Sequence, residues 1–481
     1  MNRRLGYAGV FCSLLLGGCL SVPEDGGFAD VQRLAGDRLE QQLHWRLGTP
    51  EDAQVDQAVA RLLKEEISPE GAVQVALLRN ATLQATYERL GVAQAELVQS
   101  GVLDNPVFSG FVRFPDRAPS KANLEFEVAL NFLDVLMLPV RKRLATTTFE
   151  EVKLQVAQQV LETATDVRKA YFQAVSTENV VRMRRLVAEA AQASYLMAAR
   201  IHAAGNLSDL QLDVEHDAFE RARVTLAHNE LAAKNTREQL TQLLGLWGKD
   251  VEYKLPSRLP EIPMQDVPLD HLESFAVANR LDLAASRQEV EAAAQILGVA
   301  IDWRWLGGTG LGVSTERDSD GQWLTGPTFE INLPLFDQQQ AEIAKHQAVL
   351  RQSQQRLVAL AVEARSEVRE LRDRLLMLRN VATHYHQVVL PLRERIVELR
   401  MKEYNYMLAG VFEVLLARQS EYDAYQEYLE TIRDYWITRS ELQFALGGRL
   451  PAAAPSPLEE LFKSGQSPQL PTHGEPYAKP S

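Results

Sequence analysis

Across residues 338–409 the apolar positions recur every three or four places, through Leu371, Leu375, Leu378, Val381, Tyr385, Val389, Leu392, Ile396 and Leu399. So narrow a stripe marks a coiled-coil seam rather than the broad apolar face of a helix in a globular core. Residues 140–204 are equally free of turn chemistry and rich in helix formers. At 1.5 Å of rise per residue, each stretch predicts a rod of roughly 100 Å. Shorter helical patterns occupy 68–101, 208–246, 269–302 and 412–446. Pro391 falls inside the second long stretch, where a missing donor and a ring clash cost about 3 kcal/mol, so a kink or break is expected there.

Two places switch to a period of two. Leu124, Phe126, Val128, Leu130 and Phe132 alternate with Glu125, Glu127, Ala129 and Asn131. Phe329, Ile331, Leu333 and Leu335 alternate with Thr328, Glu330 and Asn332. The alternation predicts strands with large apolar groups on one face and carboxylates on the other. Their partners are predicted at 107–114 and 306–315, joined by polar loops at 115–121 and 316–322. Two environments suit such hairpins, an outer-membrane barrel wall or a half-buried soluble sheet. Four strands cannot close a barrel, and open edges are excluded from lipid, so a barrel would have to be shared between chains.

The chain repeats itself at an offset near 200. Asn80, Leu83, Leu90 and Ala93 align with Asn279, Leu283, Val290 and Ala293. Phe126-Glu127-Val128-Ala129-Leu130-Asn131 aligns with Phe329-Glu330-Ile331-Asn332-Leu333-Pro334, and Asp134 with Asp337. Val167-Arg168 matches Val368-Arg369, and Ala204-Gly205 matches Ala409-Gly410. Each half reads helix, strand, strand, long helix, helix, over 68–254 and 269–448, with a proline-rich linker at 255–268 between them. In each half the first and last helices together match the long one in length. Two short helices stacked end to end would therefore give a wall of even height.

Composition narrows the function. With 51 Lys and Arg against 64 Asp and Glu, the net charge is -13, unsuited to binding nucleic acid. Beyond the N-terminus no apolar run is long enough for a membrane-spanning helix. Arg3 and Arg4 precede a short apolar stretch, residues 5–16, ending in Leu16-Gly17-Gly18-Cys19, so residues 1–18 read as a secretory signal. Those last four residues resemble a bacterial lipobox, which implies cleavage before Cys19 and covalent lipid on that cysteine; the other reading is an ordinary signal beside a chance cysteine. Cys12 leaves with the signal, so Cys19 has no intrachain disulfide partner. Residues 19–67 form the lipid-anchored N-terminal segment. Leu20 and Ser21 lack the Asp that signals inner-membrane retention in such lipoproteins, which favours the outer membrane. The tail, 449–481, is rich in Pro, Ser, Gln and Gly, a disordered composition.

The duplication, the two hairpins and the two glycine turns together resemble the TolC-like outer membrane efflux proteins, particularly the lipoprotein branch of these outer membrane factors. The resemblance covers residues 68–448. It implies a mainly α chain with a small β part: a long α-helical coiled-coil tunnel domain in the periplasm, plus four transmembrane β-strands that join those of two other copies in a twelve-stranded barrel. It further implies a homotrimeric exit duct, served by a periplasmic adaptor and an inner-membrane pump, for small molecules. The alternatives are the outer membrane component of a type I protein secretion system, a passive porin, or a structural coiled-coil lipoprotein. In this family the helical tips contact the adaptor, which points to Gly205, Asn206, Leu207 and Ser208 at one tip and Gly410, Val411 and Phe412 at the other. Acidic side chains near the tips narrow the pore in the family, making Asp209, Asp213 and Glu413 the candidates here. Carboxylates in the first turn of a helix also suit its dipole without any role in a pore.

No enzyme motif is visible. Gly307, Gly308, Gly310 and Gly312 lack the spacing of a nucleotide-binding loop and read as a strand with small side chains. His384 and His386 lie on different helix faces, and His202, His216 and His228 are scattered, so no metal or cofactor is expected.

Overall fold

The computed structural model describes residues 23, 25–114, 116, 121–263, 269, 271–305 and 309–451. The signal with Cys19, Leu306, Gly307, Gly308 and the tail from 452 onward lie outside the described residues. After a short helical segment at 28–39, the first half runs α1 Pro50–Leu62, α2 Pro69–Arg79, α3 Ala81–Ser100, β1 Val107–Arg113, β2 Asn123–Asn131, α4 Phe132–Ala203 and α5 Asp209–Leu244. The second half runs α6 Leu272–Asn279, α7 Leu281–Asp302, β3 Thr309–Arg317, β4 Trp323–Ile331, α8 Gln340–His384, α9 Leu390–Asn405 and α10 Val411–Ala445. The duplicated order is therefore present in space as well as in sequence.

Both first helices are broken where the sequence predicted continuity. Asn80 and Arg280 leave the helical region, with ψ of 114° and 130°. The breaks have a purpose in packing. Helix α5 ends at Gly245, which adopts the left-handed conformation and lies so close to α2 that a Cβ would sit 2.6 Å from the Arg79 carbonyl. Gly447, after α10, stands in the same relation to the Asn279 carbonyl, also 2.6 Å. Each last helix thus abuts the kink from which α3 or α7 departs, which is the predicted end-to-end stacking. The kink residues correspond as Asn80 to Arg280, not Asn80 to Asn279 as the sequence alignment suggested.

The long rods also differ in detail from expectation. Helix α4 has 72 residues and starts at Phe132, inside the predicted strand, with Pro139 within it. The Asn131 side chain accepts from the Leu133 amide at 3.1 Å, and that cap ends the strand and begins the helix. At 1.5 Å per residue α4 is about 110 Å long. In the second rod the expected break at Pro391 takes the form of a π-helical turn, Tyr385–Val389, followed directly by α9 with Pro391 in its first turn. The widened turn contains Gln387, whose carbonyl would otherwise await the missing proline N–H.

The strands make one antiparallel sheet in the order β1-β2-β3-β4, with β2 and β3 joining the two halves. Both second-half strands are displaced from the predicted ones: β3 is Thr309–Arg317, and β4 ends at Ile331, leaving Leu333 and Leu335 beyond the ladder. Pro334 stands between them and has no amide proton to extend the pairing.

The principal core lies midway along the rods, where the kinks, the N-terminal segment and α4 meet. Tyr87, Tyr171, Leu77, Leu83, Leu90, Leu161, Leu240 and Leu244 are fully buried there. The Tyr171 hydroxyl donates to the Ile67 carbonyl at 2.9 Å, so its polar end is satisfied. A smaller counterpart in the second half gathers Leu272, Ala276, Val368, Leu371, Leu375, Tyr435 and Leu442. The N-terminal segment is fastened across this region. Lys153 on α4 holds Asp30 at 2.6 Å, which keeps that carboxyl below its usual range, and the Trp45 indole donates to Glu88 at 2.9 Å.

The junction geometry makes Gly245→Ala and Gly447→Ala each destabilising by more than about 1 kcal/mol, because both the left-handed φ and the nearby backbone oppose a Cβ. Gly48→Ala, at φ 75° but with open space around it, is the milder control. Denaturant unfolding of the purified protein measures the difference.

Candidate functional site

Two regions at opposite ends of the rods carry the unusual surfaces, and the sheet is the first. Its register assigns every side chain to a face. Phe108 and Val112 on β1 pair with Val128 and Leu124, and these with Val313 and Arg317 on β3. On β4, Phe329 and Ile331 share that face through Leu311 and Thr309. One face therefore presents Phe108, Val112, Leu124, Phe126, Val128, Leu130, Leu311, Val313, Phe329 and Ile331. Much of it is open: Phe329 is 78% exposed and Phe108 68%. A water-soluble protein gains about 1.5–3 kcal/mol by burying such a side chain, so the face calls for an apolar surrounding.

The opposite face carries Glu125, Glu127, Glu316 and Glu330, with Arg113, Asn123, Ser314 and Thr328. Thr328 donates to Glu127 at 2.8 Å, Asn123 to Glu316 at 2.6 Å, and Arg113 pairs with Glu125 at 3.1 Å. Gly310, Gly312 and Gly326 lie on this face too. A Cβ on Gly312 would meet the Thr328 hydroxyl and the Val128 carbonyl, each at 2.7 Å. Three of the four strand glycines lie on this face, with Gly110 opposite Phe126 on the apolar one, and small residues leave room for a sheet to curve toward their side. The alternation is imperfect, since Val107, Phe111 and Leu324 share the polar side.

The second region is formed by the two hairpin tips. Helix α4 ends in a reversal in which the Asn206 amide donates to Ile201 at 3.1 Å and the Gly205 amide to His202 at 2.8 Å. Gly205 has φ 78°, as its predicted role requires. Ser208 then caps α5 in a reciprocal pair with Gln211. At the other tip, Leu408 donates to Glu403 and Met407 to Tyr404, both at 2.9 Å. Here the left-handed residue is Met407, φ 62°, and Gly410 is the helix N-cap at φ -80°. The structural counterpart of Gly205 is Met407, and that of Ser208 is Gly410. Aligning the two Ala-Gly pairs therefore displaced the second turn by three residues, and α9 ends at Asn405 rather than near 409.

The acidic candidates are dispersed. Asp209, its side chain 93% exposed, lies 2.7 Å from His202 Nε2 across the first tip. Asp213 is exposed one turn further along α5. Glu413 stands 3.8 Å from Arg400, which also binds Glu403 at 2.8 Å. A groove of about 490 Å³ opens between α4, α5 and α10, lined by Val187, Ala191, Ala218, Arg221, Phe412 and Leu416. Glu413 borders it; Asp209 and Asp213 do not. Phe412 thus lines a groove, while Asn206, exposed, and Leu207, half-buried, stay at the first turn and Val411 at the start of α10. Sequence reasoning missed His202, Arg400 and Met407. The seven-residue spacing of His202 and Asp209 becomes informative only once the turn between them is placed. Apolar side chains crown the second tip: Tyr406, Met407 and Leu408 are 77%, 94% and 78% exposed.

No family profile matches the sequence, and no curated protein does. Solved structures do match. The CmeC outer membrane channel of Campylobacter jejuni superposes with a TM-score of 0.64 at 15% identity, over 93% of this chain and 96% of that one. The open state of the MtrE outer membrane channel of Neisseria gonorrhoeae gives 0.63 at 17%, over 79% and 89%. CusC, described in terms of folding and transmembrane channel formation, gives 0.65 at 18%, over 79% and 92%. The fold is TolC-like.

The tips differ in backbone cost, since an L side chain is disfavoured in the left-handed region. Gly205→Ala should speed amide exchange at residues 204–208 about fivefold, whereas Met407→Gly should slow it at 406–410. Hydrogen exchange resolved by mass spectrometry reads both.

Proposed function

We propose that this chain is one subunit of a homotrimeric outer membrane exit duct of a tripartite efflux system, exporting small molecules without catalysis of its own. Its four strands supply a third of a twelve-stranded transmembrane barrel, and its helices a third of a periplasmic tunnel. A periplasmic adaptor engages the tips, and an inner-membrane pump supplies the energy. Cys19 carries the lipid that fixes the N-terminal segment to the membrane. No cofactor is required.

The observation that carries this reading is the sheet, apolar and exposed on one face, polar and glycine-lined on the other, with β1 and β4 as its edges. The strands alternate in direction, so β4 of one copy runs antiparallel to β1 of the next, a head-to-tail contact that repeats and can close into a ring. Two copies would give eight strands, whose interior fills with side chains; three give twelve and leave a lumen. The helices support the same assembly. Leu210, Val214, Val224 and Leu231 on α5, and Val358, Val362, Met377 and Leu392 along α8 and α9, are exposed in the single chain and available to seal neighbouring copies together. The fold shared with CmeC, MtrE and CusC, whose structures are described as outer membrane or transmembrane channels, favours this reading over a soluble coiled-coil protein.

Native mass spectrometry of the protein extracted in detergent tests the assembly, with a trimer expected and a soluble monomer contradicting it. For the pore, three copies of Asp209 and Asp213 would set negative rings that favour cations. Asp209→Ala combined with Asp213→Ala should raise single-channel conductance in planar bilayers and weaken cation preference. Conductance and ion selectivity identical to the unmodified protein would remove both residues from the constriction.

A further inference from the structure

The two helix junctions are related by the duplication, yet they are fastened differently. In the first half the residue at the kink makes the fastening itself, beside an ion pair at 2.5 Å between Arg79 and Asp56 of the N-terminal segment. The Asn80 side chain accepts from the Leu83 amide at 2.9 Å, capping α3, and donates to the Leu243 carbonyl at 2.8 Å, tying down the end of α5. In the second half the equivalent position is Arg280, and its guanidinium is engaged elsewhere, by Asp282 at 2.8 Å and Glu367 at 2.5 Å. Asn279 does not substitute, because its side chain donates back to the Phe275 carbonyl at 2.8 Å.

The bond across the second junction comes from a distant part of the sequence. Arg38, in the N-terminal segment, donates from Nη1 to the Asn279 carbonyl and to the Gly447 carbonyl, each at 2.7 Å. Those carbonyls belong to the ends of α6 and α10, and a cation at two converging helix C-termini is favoured by their dipoles. Arg449, just beyond α10, donates in return to the Asp37 carbonyl at 3.0 Å. Burial and the neighbouring Arg449 charge pull the Arg38 pKa below its ordinary value, an electrostatic cost that the two carbonyls offset.

We infer that the N-terminal segment is a strap whose Arg38 caps the carbonyls at the second junction, the task that Asn80 performs at the first and Arg280 does not, holding the end of α10 against the end of α6. The strap contributes to only one of the two junctions through this residue, since Asn80 completes the other without it. The two junctions therefore depend on Arg38 unequally, whereas Asp56 reaches the first through Arg79. This inference is independent of the channel reading, because it concerns the fastening of the rods and not what passes between them.

The test is hydrogen exchange, resolved by mass spectrometry, on the full-length protein in detergent. Arg38→Met keeps the length of the side chain but removes its charge and donors. It should raise exchange at 272–282 and 442–449 about tenfold, the scale of losing hydrogen bonds from a charged group, while 79–84 and 241–246 stay as they were. Asn80→Leu should give the mirror pattern. Arg38→Lys, which keeps the charge and can still reach a carbonyl, should restore part of the protection. If Arg38→Met proves too unstable to purify, Arg449→Ala, which cuts only the return bond, should loosen the same two segments to a smaller degree. Equal loosening of both junctions in either variant, or no change at 272–282 and 442–449, would overturn the assignment.

Discussion

In hydrocarbon a backbone amide or carbonyl without a partner costs several kcal/mol, and a sheet can avoid that cost only by closing on itself. Strands β1 and β4 are the two edges of a sheet whose one face is crowded with exposed Phe, Val, Leu and Ile. Water is a poor solvent for that face, and lipid is impossible for those edges unless other strands cover them. In the proposed assembly, copies of the same chain satisfy both demands. There the polar face would turn inward, its glycines would let the wall curve, and the helices would continue the wall away from the sheet.

The rods do not fold back on themselves, and the duplication provides them in two ways. One rod of each pair is essentially a single long helix. The other is assembled from two shorter helices whose ends meet at a kink, with a left-handed glycine allowing the backbones to within contact distance. Because the principal core collects around these kinks, the junctions are where helix order, the N-terminal segment and the two repeats become one cooperative structure. The unequal fastening of the two junctions shows how a duplicated chain can diverge: the geometry persists, while the residues that secure it come from different places.

Much of this was legible in the sequence because it depends on periodicity. The long seam of α8 and α9, the alternation in β2, the repeat and the end-to-end stacking all follow from patterns that persist over many residues. What was not legible depends on single residues. Asn80 and Arg280 sit in uninterrupted helical patterns, and only their contacts with α5 and α10 require the kinks. Phe132 completes the strand alternation perfectly, yet Asn131 caps the helix that claims it. Leu333 and Leu335 continue the alternation of β4 past the point where Pro334 stops it. At the tips, an Ala-Gly pair repeated by chance outweighed geometry, since a methionine occupies the conformation that a glycine was expected to supply. His202 and Asp209 approach one another only because the turn reverses the chain between them.

The seam between copies is the part of the account most open to direct observation. Single cysteines introduced in pairs along the edges, such as Ser109→Cys with Gly326→Cys and a set of pairs displaced by one or two residues in register, can be oxidised in intact membranes and resolved on a non-reducing gel. The account predicts disulfide-linked dimers and trimers for pairs in one register, fading as the register is shifted. Absence of intermolecular cross-links from every pair, in protein confirmed to be folded by its exchange pattern, would contradict a barrel wall shared between chains.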